Sequence, residues 1–263
     1  MSDEKVDIFS NLTSGYEGVG EFYDLFADNS DIPFYIEYAK RTGSPILDLA
    51  AGTGRIAFSL AQEGFEVTAL DNSPSMLASA RRKLLQASND ISNRVTIIEG
   101  NMEHFKIPKK FSLIIVPNSF GHVLSSDAQL ATLRCIREHM KQDSLFILDL
   151  YRGELQYAHA KFEDHPVQIE NDRTVERHGE IYSDRRRKLM RVDIQYIIKN
   201  IDGSIIKTIG VKSGVSLFFN NDIDLLLQQS GFELVEEIGG FDGHVYNAES
   251  GRRILLLTKN TDK

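Results

Sequence analysis

Two glycines and two aspartates mark the part of the sequence that could hold a ligand. In "ILDLAAGTGRIAFSL", Asp48 lies within an apolar stretch, and Gly52 and Gly54 follow it before a helical pattern begins. Asp71 ends a second apolar stretch, in "VTALDNSPSML". Glycines allow a tight turn and a close approach of the backbone to a ligand. An acid at the end of the next strand can accept hydrogen bonds from ribose hydroxyls. These residues predict a site for an adenosine-bearing molecule.

The glycine loop alone leaves the identity of that molecule open. Gly52, Gly54 and Ala57 fit the G-x-G-x-x-A fingerprint of a dinucleotide-binding fold, which favours a nicotinamide cofactor. Asp48, four residues before Gly52, suits a cationic ligand group better than a pyrophosphate. The loop could also be a tight turn that binds nothing. The interpretation therefore depends on the surrounding elements.

The elements that position the loop alternate between strand and helix over residues 45–150. Five short apolar stretches are typical of buried strands: "PILDLA", "FEVTAL", "VTIIEG", "SLIIVPN" and "SLFILDL". Between them lie segments with helical spacing, one of which begins with the cap Ser73 and another of which runs to Met140. This alternation predicts a parallel sheet covered by helices on both faces. Ligands bind at the carboxyl ends of such strands, where the glycine loop lies.

After Tyr151 the pattern changes to strands without intervening helices. The stretches "TVERHGEIYS", "KLMRVDIQYIIKN" and "SIIKTIGVKS" alternate between apolar and polar residues, and Asp202-Gly203 is a hairpin turn signal. We therefore predict an antiparallel insertion. The helical pattern of "NDIDLLLQQS" and two further strands, "FELVEEIGG" and "RRILLLTKN", then restore the earlier alternation.

The charge and composition argue against several classes of protein. A net charge of −8 would repel a phosphate backbone, so we expect no nucleic-acid partner. The start of the chain lacks a secretory pattern and no apolar run is long enough to span a membrane, which predicts a cytoplasmic protein with no membrane partner. The single cysteine, Cys135, rules out an internal disulfide, and the seven histidines form no close metal-binding pattern, so we predict no metal site.

Four stretches resemble the motifs of the class I S-adenosylmethionine-dependent methyltransferases. "ILDLAAGTGR" is similar to their first motif, "VTALDNSPSMLASAR" to the second, "IIEGNMEHF" to the third and "FSLIIVPNSFGHV" to the fourth. The resemblance extends from about Tyr23 to Leu150 and returns with "FFNNDIDLLLQQSGFELVE" and the final strand pair. It implies a doubly wound α/β fold with a mostly parallel seven-stranded sheet, an antiparallel last strand, and an antiparallel β insertion after the fifth strand.

The resemblance also implies four parts within a single methyltransferase domain. Residues 1–44 would cover the cofactor, and residues 45–150 would form the cofactor-binding α/β core. Residues 151–219 would form the insertion and act as a lid over the substrate. Residues 220–263 would complete the core sheet.

In this family the glycine loop wraps the methionine part of S-adenosylmethionine, and the acid after the second strand holds the ribose. Asn72 and Met76 would border the adenine, and the turn at Asn101 and Met102 would contact its edge. Asn101 departs from the usual Asp but can still accept a hydrogen bond. The cofactor-binding residues implied are Tyr23, Asp48, Ala50, Gly52, Gly54, Arg55, Asp71, Asn72, Met76, Asn101, Met102 and Asn118.

The function that follows is transfer of a methyl group from S-adenosylmethionine to a nitrogen or oxygen of a small molecule. The ending "SGFELVEEIGGFDG" and the insertion resemble bacterial small-molecule enzymes such as the amino-sugar N-methyltransferases. His122 is the candidate catalytic base, since a neutral imidazole can accept a proton near neutral pH. The alternatives are a pocket wall at His122 and, for the protein, an NAD-dependent oxidoreductase or a non-catalytic binding module. We expect a monomer or a homodimer, and leave open whether the arginine run 185–187 touches the substrate.

Overall fold

The computed structural model describes residues 7–153 and 157–260, and within these ranges the chain forms six α-helices and twelve β-strands. Residues 1–6 of the predicted cofactor cover, 154–156 of the predicted insertion and 261–263 lie outside the described residues. The helices are α1 (Ile32–Thr42), α2 (Arg55–Gln62), α3 (Pro74–Gln86), α4 (Asn89–Ser92), α5 (Ser126–His139) and α6 (Asn220–Gln229). The strands are β1 (Ile46–Leu49), β2 (Val67–Asp71), β3 (Val95–Glu99), β4 (Phe111–Val116), β5 (Met140–Tyr151), β6 (His159–Glu163), β7 (Val167–Ile169), β8 (Arg173–Asp184), β9 (Leu189–Lys199), β10 (Ile205–Ser216), β11 (Phe232–Ile238) and β12 (Arg252–Lys259).

Seven strands form the main sheet in the order β3-β2-β1-β4-β5-β12-β11. The first five strands along the chain are parallel, and β12 runs antiparallel to both of its neighbours. The predicted fold class is therefore confirmed, including the antiparallel last strand. Strands β1 and β4 are buried along their whole length, because helices cover both faces of the sheet.

Local sequence signals determine where the two helices at the site begin. Gly54 adopts a φ of +77° immediately before α2, in the left-handed region that favours glycine. A Cβ on Gly54 would lie 2.9 Å from the ring of Phe58, so the turn also lacks room for a side chain. Ser73 caps α3 by accepting a hydrogen bond from the backbone N–H of Met76, as predicted.

One helix boundary differs from the prediction. Met140 fits the helical spacing of the preceding residues, but it is the first residue of β5, and α5 ends at His139. The His139 ring contacts the Cys135 carbonyl at 2.7 Å and accepts a hydrogen bond from the backbone N–H of Ile107. The contact with Ile107 ties the end of α5 to the segment before β4, and β5 follows α5 without a connecting loop.

The insertion forms a second, antiparallel sheet of five strands in the order β10-β9-β8-β6, with β7 also paired to β8. The three long strands were predicted, whereas β6 and β7 were not. The predicted hairpin turn at Asp202-Gly203 joins β9 to β10, and residues 185–188, which include the arginine run, join β8 to β9. One face of this sheet packs on the N-terminal part of the chain through Val192, Ile194 and Tyr196.

The N-terminal part of the chain lies between the two sheets. We refer to residues 13–20 as the strap. The strap is followed by a short 3-10 helix (Tyr23–Phe26) and by α1. Val19 in the strap and Phe22 after it are buried in one cluster with Met76 of α3 and the apolar face of the insertion sheet. The two sheets are thus joined through this segment.

Candidate active site

A cavity of about 630 Å³ lies beyond the carboxyl ends of the parallel strands. Its walls come from three parts of the chain: the loops after the core strands, the strap with the residues that follow it, and one face of the insertion sheet. Eleven of the thirteen predicted site residues line it: Tyr23, Ala50, Gly52, Arg55, Asp71, Asn72, Met76, Asn101, Met102, Asn118 and His122.

Asp48 and Gly54 do not line the cavity. Both carboxylate oxygens of Asp48 are inaccessible to solvent, and neither makes a hydrogen bond of good geometry within the described residues. Burial raises the pKa of Asp48 to about 8, although the Arg55 guanidinium lowers it. Asp48 therefore lies behind the loop and does not reach the wall of the cavity, and its direct contact with the cofactor stays a prediction.

Asp71 ends β2 and is 7 % exposed. Its two carboxylate oxygens accept hydrogen bonds from the backbone N–H of Gly52 at 2.7 Å and of Ser73 at 2.8 Å. Burial raises its pKa, while these backbone donors lower it. Asp71 therefore fixes the glycine loop relative to the start of α3, and each oxygen still has a lone pair for a hydroxyl in the cavity. The first of these roles was not predicted from the sequence.

Two residues other than glycine on the cavity wall have backbone conformations of the left-handed region. Ala50 follows β1 with a φ of +54°, and Asn118 follows β4 with a φ of +46°. Such conformations cost free energy and are concentrated at functional sites. Both residues turn the chain at the carboxyl end of a strand, so the strain is located where the cavity is formed.

Ion pairs attach the segment that follows the strap to the glycine loop. Arg55, the first residue of α2, forms two hydrogen bonds with the Asp31 carboxylate, at 2.5 and 2.7 Å. Asp24 accepts a hydrogen bond from the Thr53 hydroxyl at 2.5 Å and pairs with Lys83. Because Arg55 and Asp31 both line the cavity, this contact forms part of its wall.

A buried acid at the end of β5 was missed in the sequence. Asp149 is 1 % exposed and lines the cavity with Arg252, the first residue of β12. Burial raises the pKa of Asp149 to about 6, although the Arg252 guanidinium lowers it. Arg252 also donates to the Tyr151 hydroxyl at 2.7 Å, and its guanidinium lies 4.0 Å from the centre of the Tyr151 ring.

The wall opposite the glycine loop is mainly aromatic and apolar. Arg177 of β8 is the charged residue that the insertion contributes to this wall, and it pairs with Asp164 at 2.6 Å. Its guanidinium lies 4.8 Å from the centre of the Phe26 ring and 5.6 Å from that of Phe162. The aromatic residues of the cavity wall are Tyr16, Tyr23, Phe26, Tyr151, Phe162, Tyr196 and Phe241.

His122 lies in the short 3-10 helix after β4, on the side of the cavity that faces the insertion. Its Nδ1 accepts a hydrogen bond from the backbone N–H of Gly15 at 3.3 Å, and the Tyr16 ring packs edge-on at 5.2 Å. Burial lowers the pKa of His122, although a backbone hydrogen bond with Gly214 raises it. The lowered pKa favours the neutral imidazole, and because Nδ1 accepts from Gly15 the ring proton is on Nε2.

The arginine run lies apart from this cavity. Residues 185–187 are exposed at the hairpin between β8 and β9, where Arg187 pairs with Asp7 at 2.7 Å. The arginines of the cavity wall are instead Arg55, Arg177 and Arg252. Within residues 7–153 and 157–260, no group of three or more His, Cys, Asp or Glu side chains is arranged to hold a metal ion, and no helix is long and apolar enough to cross a membrane.

The order of the sheet and the position of the cavity define a protein with the fold of the class I methyltransferases. Residues 46–144 match the family described as "Methyltransferase domain". This match confirms the predicted resemblance over these residues.

The curated proteins similar to this chain include several N-methyltransferases. The glycine/sarcosine/dimethylglycine N-methyltransferase of Actinopolyspora halophila is 32 % identical over 144 residues, which are 51 % of this chain and 25 % of that protein. The dTDP-3-amino-3,4,6-trideoxy-alpha-D-glucopyranose N,N-dimethyltransferase of Streptomyces venezuelae is 26 % identical over 132 residues, 50 % of this chain and 52 % of that protein. The chain spans between a quarter and about half of the length of the first curated relatives.

Among solved structures, the CcbJ methyltransferase of Streptomyces caelestis superimposes with a TM-score of 0.75 at 21 % identity. The match covers 94 % of this chain and 98 % of that structure. The common fold therefore includes the insertion as well as the core.

Proposed function

We propose that the protein transfers a methyl group from S-adenosylmethionine to the nitrogen of a small acceptor such as an amino sugar. The observation that carries the proposal is the cavity that the α/β core and the insertion sheet share. One wall consists of the glycine loop and Asp71, and the other of aromatic side chains and Arg177. A cofactor and an acceptor could therefore lie side by side.

The residues of the first wall fit S-adenosylmethionine. The N-terminus of α2, whose first residue Arg55 lines the cavity, carries a partial positive charge that suits the carboxylate of the cofactor's methionine part. Asp71 is positioned to accept the ribose hydroxyls, and Met76 and Asn101 to border the adenine. Asp48 is a buried acid behind the loop, and a cation in front of the loop would favour its ionisation whereas a pyrophosphate would oppose it.

When bound, S-adenosylmethionine supplies an already activated methyl group. The protein then has to orient the acceptor and exclude water, and the aromatic wall contributed by the N-terminal segment and the insertion does both. Residues 1–44 act in this proposal as a cover and residues 151–219 as a substrate lid. His122 accepts the proton that the acceptor amine loses at Nδ1, its unprotonated ring nitrogen, after the backbone N–H of Gly15 has moved away from that atom.

The amino-sugar acceptor is supported by one relative whose name describes N,N-dimethylation of an amino sugar nucleotide. The wall of the cavity agrees with a sugar ring: aromatic faces pack against its C–H surface, and Arg177 and Arg252 can donate hydrogen bonds to its oxygens. A cytoplasmic location and a monomeric or homodimeric state remain predictions.

Ligand-dependent melting tests the cofactor first. S-adenosylhomocysteine at a hundred times its dissociation constant should stabilise the protein by about 2.7 kcal/mol. NAD at the same concentration should leave the melting temperature unchanged. Stabilisation by NAD alone would instead favour the oxidoreductase.

Turnover tests the acceptor and separates an enzyme from a binding module. The protein is incubated with isotope-labelled S-adenosylmethionine and a set of amino sugars, amino sugar nucleotides and the matching hydroxy sugars. We expect labelled product from amines and none from the hydroxy sugars. Binding of S-adenosylhomocysteine without turnover of any acceptor class would support the non-catalytic module.

A further inference from the structure

The strap connects the two walls of the cavity. At one end, the backbone N–H of Gly214 in β10 donates to the Thr13 carbonyl at 2.6 Å. In the middle, Gly15 donates to His122, and the Tyr16 ring packs against the same imidazole. At the other end, the backbone N–H of Gly18 donates to the Ser75 hydroxyl in α3 at 2.8 Å.

Glu17 makes the charged contact between the strap and the core. Its carboxylate accepts hydrogen bonds from the hydroxyls of Ser73 and Ser75 and, at 3.1 Å, from the backbone N–H of Ser75. These groups belong to the cap and first turn of α3, where the partial positive charge of the helix stabilises an anion. The backbone N–H of Ser73 also donates to Asp71, so Glu17 contacts a residue that is hydrogen-bonded to the predicted ribose acid.

The strap also fits closely against α3 at a second point. A Cβ on Gly20 would lie 2.2 Å from the Ser75 carbonyl oxygen and 2.8 Å from the Met76 nitrogen. Both atoms belong to the backbone and cannot rotate away. Gly20 is therefore a position where any side chain must lift the strap from the helix.

The part of the strap that lies between its contacts with α3 and its contact with β10 has room to move. Gly15 and Gly18 have φ values of +87° and +91°, and a Cβ on either would meet nothing within 4 Å. A second cavity of about 580 Å³ lies against the strap, and Ser14 and Gly15 line both cavities. Glu17 is itself exposed, so water can compete for its hydrogen bonds and the contact is reversible.

We propose that Glu17 is a positioning residue that latches the strap to the start of α3 and thereby holds Gly15 and Tyr16 against His122. When the latch is closed, the strap completes the wall between the two halves of the cavity. When it opens, the glycines on either side of Glu17 let the strap move away and give an acceptor access. The strap, which forms part of the wall on the acceptor side, is thus attached to α3, and the first turn of α3 borders the proposed cofactor site. This inference rests on the proposed function only for the identity of the two ligands.

Amide hydrogen exchange of residues 13–20 tests the latch without any turnover. In Glu17→Ala we expect these amides to exchange about fivefold faster than in the wild type, because the charged contact is lost. Glu17→Gln should give an intermediate rate, since its carboxamide oxygen still accepts from Ser75. Glu21→Ala is the matched control, because Glu21 is an exposed acid four residues further along the same segment. Gly20→Ala should reproduce the effect of Glu17→Ala by steric displacement.

Saturating S-adenosylhomocysteine adds a readout that a merely structural role would not change. In the wild type the ligand should slow exchange in the strap, and in Glu17→Ala this protection should be largely lost although the ligand still binds. With a working acceptor, Glu17→Ala should raise the acceptor KM several-fold more than it lowers kcat. Wild-type exchange rates in Glu17→Ala, or equal acceleration in Glu21→Ala, would overturn the proposal. Absence of methyl transfer by the wild type would instead count against the proposed function and leave the exchange comparison decisive for the latch.

Discussion

Arg252 donates from one Nη1 atom to both carboxylate oxygens of Asp149, each at 2.8 Å, across the antiparallel pair β5 and β12. In the register of these strands Asp149 lies opposite Ile254, so the two charged residues are diagonal neighbours on one face of the sheet. Asp149 is almost fully buried, and Arg252 is its charged partner at the wall of the cavity.

Arg252→Ala should lower the free energy of unfolding by about 3–5 kcal/mol at pH 8, because it leaves a buried carboxylate without its partner. The pKa of Asp149 is already raised to about 6 in the presence of Arg252, and removing the cation raises it further. Below that pKa the acid is protonated and neutral, so the loss should be smaller at pH 5. Urea unfolding at both pH values measures this loss in the free energy of unfolding. Arg186→Ala, an exposed arginine of the hairpin, is the control and should change stability little. Equal losses at pH 5 and pH 8 would contradict the role of charge.

Asp48→Asn should remove a pH dependence of stability. The folded protein raises the pKa of Asp48 to about 8, above its usual value, so the stabilising protonated state is present at low pH and is lost as the pH rises through 8. Because of this group, the free energy of unfolding should fall by about 2–3 kcal/mol between pH 6 and 8, at 1.36 kcal/mol for each pH unit. The difference in the free energy of unfolding between the wild type and the variant, measured from pH 6 to 8, gives the contribution of Asp48. Asp143→Asn, at an exposed acid, should show no such difference.

Asp71→Ala should weaken the binding of S-adenosylhomocysteine by about 1.5–3 kcal/mol, the free energy of a lost hydrogen bond to a charged group. Because Asp71 also accepts from Gly52 and Ser73, the variant should be less stable than the wild type. Titration calorimetry on the folded fraction gives the affinity, and thermal unfolding gives the stability. Glu99→Ala is a matched control, since Glu99 is an exposed acid at the end of the neighbouring strand. Unchanged affinity in Asp71→Ala would exclude the ribose contact.

His122→Ala should lower turnover by roughly 10²–10⁴-fold if His122 is the general base, with little change in cofactor affinity. Burial lowers its pKa, so the wild-type rate should fall only below about pH 6.5. Rates followed against pH at saturating cofactor measure both effects, with His165→Ala at an exposed histidine as the control. A loss of less than about tenfold would make His122 a wall of the pocket that positions the acceptor.

The residues predicted from the sequence are those whose roles depend on local chain geometry. Gly52 turns the chain directly after β1, and Ser73 caps α3 within three residues, so short-range signals were sufficient for both. Asp149 could not be predicted, because its partner Arg252 is 103 positions away and only the sheet order makes them neighbours. The contact of Glu17 with Ser75 was missed for the same reason, since 58 positions separate them.

Two further differences have physical causes. Strands β6 and β7 were missed because they are short: "HAKFE" and "VQI" do alternate between polar and apolar residues, but five and three residues are too few for a clear strand signal. Asp48 was expected in the cavity because it lies near the carboxyl end of β1, but the turn at Ala50 places the loop in front of it. Sequence position alone gives no measure of which side chain a loop will cover.

Strand β12 enters the sheet between β5 and β11, although both of its neighbours precede it in the chain. A nascent chain that has not yet reached Lys259 therefore has two unpaired strand edges, one of which carries the unneutralised Asp149. Pairing across such sequence distances is slow, because long loops must close before the contacts form. We therefore expect the ligand site to be completed late in folding, when β12 pairs with its neighbours. The rate at which the refolding protein binds S-adenosylhomocysteine should then follow the pairing of β12 and not the formation of the glycine loop.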